Sequence, residues 1–223
     1  MMYDAMLTVH GGFGFAGLLA SIGAILTRLV ALPHSLHVWS GRLFTIGMVG
    51  VGLTGLVIAY VQSSLFFYSL AFFVLYLAAM GWRYAKVRGG LDSPVEKMLA
   101  VVSLTAFVAM AGLGGYLVSA GEGVGILLAV FGTIGLLHAI VDVRGAFGKA
   151  VTGRDRIAAH LSRMLGGTIA ALTAFLLIQF ESSSPLVWLG PAAVLTPVML
   201  LWKFLVKRNR GLHRNAVPGE MKV

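Results

Sequence analysis

Four histidines stand inside or at the edge of long apolar runs, and they are the residues of this chain best suited to chemistry: His10, His37, His138 and His160. His138 and Asp142 are four positions apart. A helix puts both on one face, where the carboxylate can orient the imidazole as it does for many ligating histidines. Asp142 has a competing use as the ion-pair partner of Arg144 or Arg163. His160 and Met164 share a face at the same spacing, a donor pair that suits iron or copper, although methionine also fills gaps in helical bundles. His37 leads the segment His37-Val38-Trp39-Ser40-Gly41-Arg42, which sets an imidazole and a guanidinium about one turn apart. His10 precedes Gly11 and Gly12. With Glu122, Gln179 or Glu181 from other runs it can bind a metal or relay a proton, and its plainer role is a neutral imidazole bonded to a carbonyl.

Considered as a set, His37, His138 and His160 with Arg42, Arg83 and Arg163 point to a haem b site, with imidazoles as axial ligands and guanidinium groups for the propionates. His10, His37, His138, Asp142 and His160 are equally the candidate ligands of a divalent or transition metal. A polar rim that serves no ligand fits the same pattern. The chain has no cysteine, which excludes disulfides, thiolate zinc sites, Cys-ligated clusters and covalently attached c-type haem.

These residues need a scaffold, and the composition names its class. Of 223 residues, 58% are hydrophobic and only 11% charged, with a mean hydropathy of +0.91. A soluble domain carries about 25% charged residues, so a soluble enzyme and a disordered chain are both excluded. Apolar runs over 6–29, 43–61, 65–82, 98–119, 123–141, 161–180 and 186–206 are each long enough for a helix to cross a bilayer. They lack the alternation of a membrane barrel. The expected fold is all-α: a polytopic membrane bundle of seven transmembrane helices over residues 1–206, with a basic tail at 207–223. Asp4 without any Lys or Arg ahead of the first run argues that this run is a retained helix and not a signal peptide.

The 17 Lys and Arg sort to one side of this map, in the first, third and fifth connections and the tail. The other side holds Asp4, Glu122 and Glu181. The positive-inside rule therefore puts the N-terminus outside and the C-terminus in the cytoplasm, as expected of a multi-pass protein of the bacterial inner membrane. The net charge of +9 is topogenic and suits anionic lipid, so no nucleic-acid partner is expected. Glycines spread through the runs, among them Gly11, Gly12, Gly14, Gly17, Gly47, Gly50, Gly112, Gly114, Gly115 and Gly132, imply close helix packing. Pro197, inside the last run, implies a kink.

His10 with its glycine-rich run, His37-x-x-x-Gly41-Arg42-Leu43-Phe44, Thr54-Gly55, Gly81-Trp82-Arg83 and His160-x-x-Arg163-Met164 together resemble a bacterial family of predicted membrane proteins of unknown function, over residues 9–180. The resemblance implies the membrane topology and singles out His10, His37, Arg42 and His160, but implies no reaction. A looser similarity, at the level of architecture, is to the two-haem transmembrane cytochrome b proteins. The sequence departs from these in offering His10 no second histidine on the outer side.

Three activities follow as expectations. The first is a redox role with one haem b or metal ion near the inner face, exchanging electrons with a quinone or another redox partner. The second is a proton or small-solute transporter using His10, Glu181 and the inner His-Asp group. The third, a metal-dependent hydrolase, lacks a glutamate base among the inner histidines. An assembly or scaffold subunit without ligand is the fourth reading.

Overall fold

Serine and proline mark where two of the helices begin. Ser64 accepts a hydrogen bond from the Phe67 amide, and Ser93 and Glu96 form a reciprocal capping box with Pro94 in the first turn. At the other end of that helix, Gly121 turns the chain at φ 83, a left-handed conformation that glycine adopts without a steric penalty. The structure, a computed structural model, describes residues 2–180 and 185–208. The described residues form seven helices and no strand: α1 (Met2–Leu29), α2 (His34–Val61), α3 (Leu65–Lys86), α4 (Pro94–Ser119), α5 (Val124–Phe147), α6 (Gly153–Phe180) and α7 (Pro185–Arg208).

The chain is an integral membrane bundle. Among the described residues, six of the helices are long and apolar enough to cross a bilayer. Helix α6 carries Arg154, Asp155, Arg156, His160 and Arg163 in its first half and an apolar run after them. Hydropathy also places several starts too late. Helix α2 begins at His34 and not at 43, α4 at Pro94 and not at 98, and α6 at Gly153 and not at 161, while α5 runs on to Phe147. An apolar-run criterion ends where charge begins, whereas a helix ends where its backbone is capped. His37, Arg42 and His160 consequently stand within helices.

Helix α3 is shared by two packing units. On one side α1, α2, α3 and α6 close a ring in which each helix packs on two neighbours, with α2 and α6 diagonally opposed. Phe44, Met48, Val74, Ala78 and Ala170 fill its centre, with Ala20 and Met164 packed against them. On the other side α4 and α5 form a hairpin whose Phe107 meets Phe72, Phe73 and Tyr76 of α3 at ring-centroid separations of 5.4, 5.9 and 4.9 Å. Helix α7 lies on α6, where Lys207 Nζ reaches Asp155 at 2.8 Å, and continues through Pro191 and Pro197. Of the basic tail expected at 207–223, residues 209–223 lie outside the described residues, as does Glu181.

The glycines divide into two groups. A methyl group on Gly47 would sit 2.9 Å from the Gly17 Cα, one on Gly125 2.6 Å from the Val118 amide and one on Gly132 2.5 Å from the Ala111 amide. A methyl group on Gly114 would collide with the Ala129 backbone. These are backbone-to-backbone approaches of the kind that hold helices together where lipid removes the hydrophobic drive. Gly11, Gly12, Gly112 and Gly115, expected to pack in the same way, have nothing within 4 Å of that position.

Candidate functional site

Asp142 is 1% exposed and receives donors from three directions. Tyr84 donates its hydroxyl to Oδ1 at 2.7 Å, Tyr76 donates to Oδ2, and the Arg163 guanidinium bonds to Oδ1. The tyrosines come from α3, Asp142 from α5 and Arg163 from α6, so one carboxylate joins three helices. Arg163, 2% exposed, also donates to the Ala159 carbonyl on its own helix at 3.0 Å and to the His138 carbonyl on α5 at 3.2 Å. Its guanidinium carbon lies 4.5 Å from the centre of the Tyr84 ring. Each of these two buried opposite charges is held by further hydrogen bonds, which offsets much of the cost of leaving water, while Arg163 Nε has no partner among the described residues.

Each of the four singled-out histidines is tethered through Nδ1. His37 bonds to the Ala24 carbonyl at 3.1 Å, His138 to the Ile134 carbonyl at 2.9 Å and His160 to the Gly81 carbonyl at 2.9 Å. A carbonyl only accepts, so Nδ1 carries the proton in all three and Nε2 keeps a lone pair. His10 Nδ1 meets the Thr54 hydroxyl at 2.8 Å, and that hydroxyl already donates to the Gly50 carbonyl at 2.6 Å, which assigns His10 the same tautomer. His34, which nothing in the sequence singles out, is the opposite case: its Nδ1 accepts from Arg28 at 2.9 Å, so its proton sits on Nε2.

The structure brings some of the predicted residues together and separates others. His160 and Arg163 lie at the α3–α6 seam, with His37 within electrostatic reach of His160. His10 lies towards the other end of the ring, against Thr54 and Gly55. There it meets a threonine hydroxyl, as a neutral hydrogen-bonded imidazole does, and Glu181, one of the carboxylates considered for it, lies outside the described residues. Asp142 does not orient His138. The carboxylate is taken by Arg163 and the two tyrosines, and His138 Nε2 is buried with no hydrogen-bond partner. Met164 packs against Gly81 and the ring core, which is the filler role. Among the described residues no three His, Asp or Glu side chains gather into a group able to hold a metal ion, neither the set of His37, His138, Asp142 and His160 expected at one end nor one that includes His10 at the other.

The three arginines expected to face propionates have other partners. Arg42 stacks on Trp39 of its own helix at 5.0 Å, Arg83 pairs with Glu96, and Arg163 pairs with Asp142. Glu96, 2% exposed, closes the α4 capping box and ties it to α3. It was not among the residues singled out by sequence, although Ser93-Pro94-x-Glu96 is the spacing of a capping box. Neither were Tyr76 and Tyr84. Their signal was a hydroxyl within the apolar run at 65–82 and another just beyond it, each needing a partner once buried. Besides Arg163, the guanidinium groups that act on the tethered histidines are Arg28, on His37, and Arg156, on His160. Arg156 Nη1 donates to the Tyr84 and Ala85 carbonyls, at 3.1 Å for the second, and so caps the end of α3.

No protein-family model, curated protein or solved structure matches the chain.

Proposed function

We propose that this membrane protein binds one haem b at the end of the α1–α2–α3–α6 ring, with His37 and His160 as axial ligands, and works as an electron carrier in the bacterial inner membrane. One observation carries the reading. On diagonally opposed helices, two histidines within electrostatic reach of each other have both Nδ1 protons committed to backbone carbonyls, which leaves two Nε2 lone pairs free of hydrogen bonds among the described residues. That tethering is the usual support of a ligating imidazole, because it sets the tautomer and the ring orientation and raises the basicity of the ligating nitrogen. Haem needs only two such ligands, so it suits this arrangement better than a metal ion requiring three or four gathered side chains. Arg28 and Arg156 are the candidate cations for propionates, each with one nitrogen already bonded, to His34 and to the end of α3 respectively. Bound there, haem would supply one-electron chemistry, with a quinone or another redox protein as the exchanging partner.

A relay from His10 to the inner histidines has less support. Phe44, Met48, Val74, Ala78 and Ala170 form an apolar cluster in the ring between the two ends, and the buried hydroxyls of Ser21, Thr45, Ser162 and Thr168 on the ring helices each donate to a carbonyl of their own helix. The charge map orients the protein with its N-terminus outside and the haem end at the cytoplasmic face.

The test is an absorption spectrum of detergent-purified protein, first air-oxidised and then reduced with dithionite. A Soret band with sharpened reduced bands is expected, abolished by His37→Ala and by His160→Ala and retained in His138→Ala. A featureless spectrum from protein expressed with added haem precursor overturns the reading, as does full retention of the bands in both ligand variants.

A further inference from the structure

Arg163, the cation of the buried pair with Asp142, stands three residues beyond His160 on α6. Residues at that spacing are neighbours on the helix surface, and Arg163 acts electrostatically on His160 across that distance. A full positive charge buried there in a low-dielectric interior would dominate the field at a nearby ligand. Asp142 cancels it. The carboxylate is held in turn by Tyr76 and Tyr84, whose hydroxyls reach it from positions two turns apart on α3. Gly81, which accepts the His160 Nδ1 proton, lies between those two tyrosines on the same helix. The group that balances the charge and the group that orients His160 are therefore anchored on one stretch of α3.

We infer that Asp142 and Arg163, held by Tyr76 and Tyr84, form an internal charge-balanced pair that positions His160 and sets the reduction potential of the site it serves. The inference rests on the haem reading above. It assigns these four residues positioning and tuning roles and no contact with the ligand. The physical argument concerns sign. Reduction removes a positive charge from the haem iron, so an added positive charge nearby raises the midpoint potential and an added negative charge lowers it.

Asp142→Asn leaves Arg163 uncompensated and raises the potential. Arg163→Gln leaves Asp142 uncompensated and lowers it, when measured at alkaline pH where the carboxylate stays ionised. The double variant Asp142→Asn/Arg163→Gln returns towards the wild-type value. A purely structural role predicts no such opposition, since two equally disruptive substitutions would move the site in one direction. Tyr84→Phe keeps the ring under Arg163, removes one donor from Asp142 and lowers the potential by less than Arg163→Gln.

The measurement is a spectroelectrochemical titration of the purified holoprotein and these variants. Opposite shifts in the two single variants, with recovery in the double, sustain the inference. Shifts of the same sign, or none, overturn it while the wild-type spectrum still upholds the haem reading. A wild-type protein without haem overturns both. If the single variants do not fold, the double variant and Tyr84→Phe carry the test. A wild-type potential in Tyr84→Phe, together with a double variant displaced from the wild-type value, overturns the inference.

Discussion

The α4–α5 seam and the α3–α5–α6 junction hold helices together by opposite means. Along α4 and α5, Gly114, Gly125 and Gly132 let one backbone lie against the other, and the contacts are with Ala129, Val118 and Ala111. Where α3, α5 and α6 meet, the contact is made through Tyr76, Tyr84, Asp142 and Arg163, large polar groups bonded to one another. Lipid offers helices no hydrophobic reason to associate, so close packing and satisfied polar networks are the available forces. The first depends on the lack of a side chain at particular positions. The second depends on every member finding its partner, because a buried charge left alone is far more costly than a small gap between apolar groups. The second lies beside the α3–α6 seam, where His160 of α6 bonds to the Gly81 carbonyl of α3.

Substitutions sharpen this contrast. The largest effect is expected at the ion pair: Asp142→Ala or Arg163→Ala each costs about 3–5 kcal/mol, the range for breaking a buried pair from one side. Reversible unfolding in mixed detergent micelles measures it. The double substitution should cost much less than the sum of the singles, and additivity would show that the two charges do not act on each other. Next in size is the packing seam, where Gly114→Ala meets the Ala129 backbone and costs about 1–3 kcal/mol by overpacking. Two residues away, Gly112→Ala meets open space and should be neutral or stabilising by up to about 1 kcal/mol, through helix propensity alone. Equal effects at the two glycines would remove the argument from backbone contact. The smallest destabilisation is expected from Ser93→Ala, which removes one half of the α4 capping box at about 0.5–2 kcal/mol. Its readout is the same unfolding midpoint.

Much of the candidate site was legible before any coordinates. His37, His160, Asp142 and Arg163 stood out because an ionisable group in an apolar run demands a partner. Asp142 was correctly given Arg163 as one possible partner, and Met164 a possible role as filler. What escaped was the part supplied by unremarkable residues. Tyr76 and Tyr84 read as ordinary aromatics in and just beyond an apolar run, and Ala24, Ile134 and Gly81 contribute only carbonyls, which every residue has. Glu96 was overlooked because it lies just ahead of the apolar run at 98–119, where attention to hydropathy stops.

Local sequence determined the helices and their medium. Twenty or more apolar residues in a row commit a segment to a helix in a membrane, since every backbone group must bond within that segment. Ser64, Ser93 and Pro94 then fix where two of the helices start. The tertiary structure decided which partner each polar group takes. Helical periodicity says that His138 and Asp142 share a face, but a carboxylate on that face bonds to whatever the neighbouring helices bring within reach. Here α3 brings two tyrosines and α6 an arginine, so Asp142 turns to them and His138 turns to its own backbone. That choice joins residues as far as 66 positions apart, as Tyr76 and Asp142 are, because the energy of a buried charge is set by its neighbours in space and not by its neighbours in sequence.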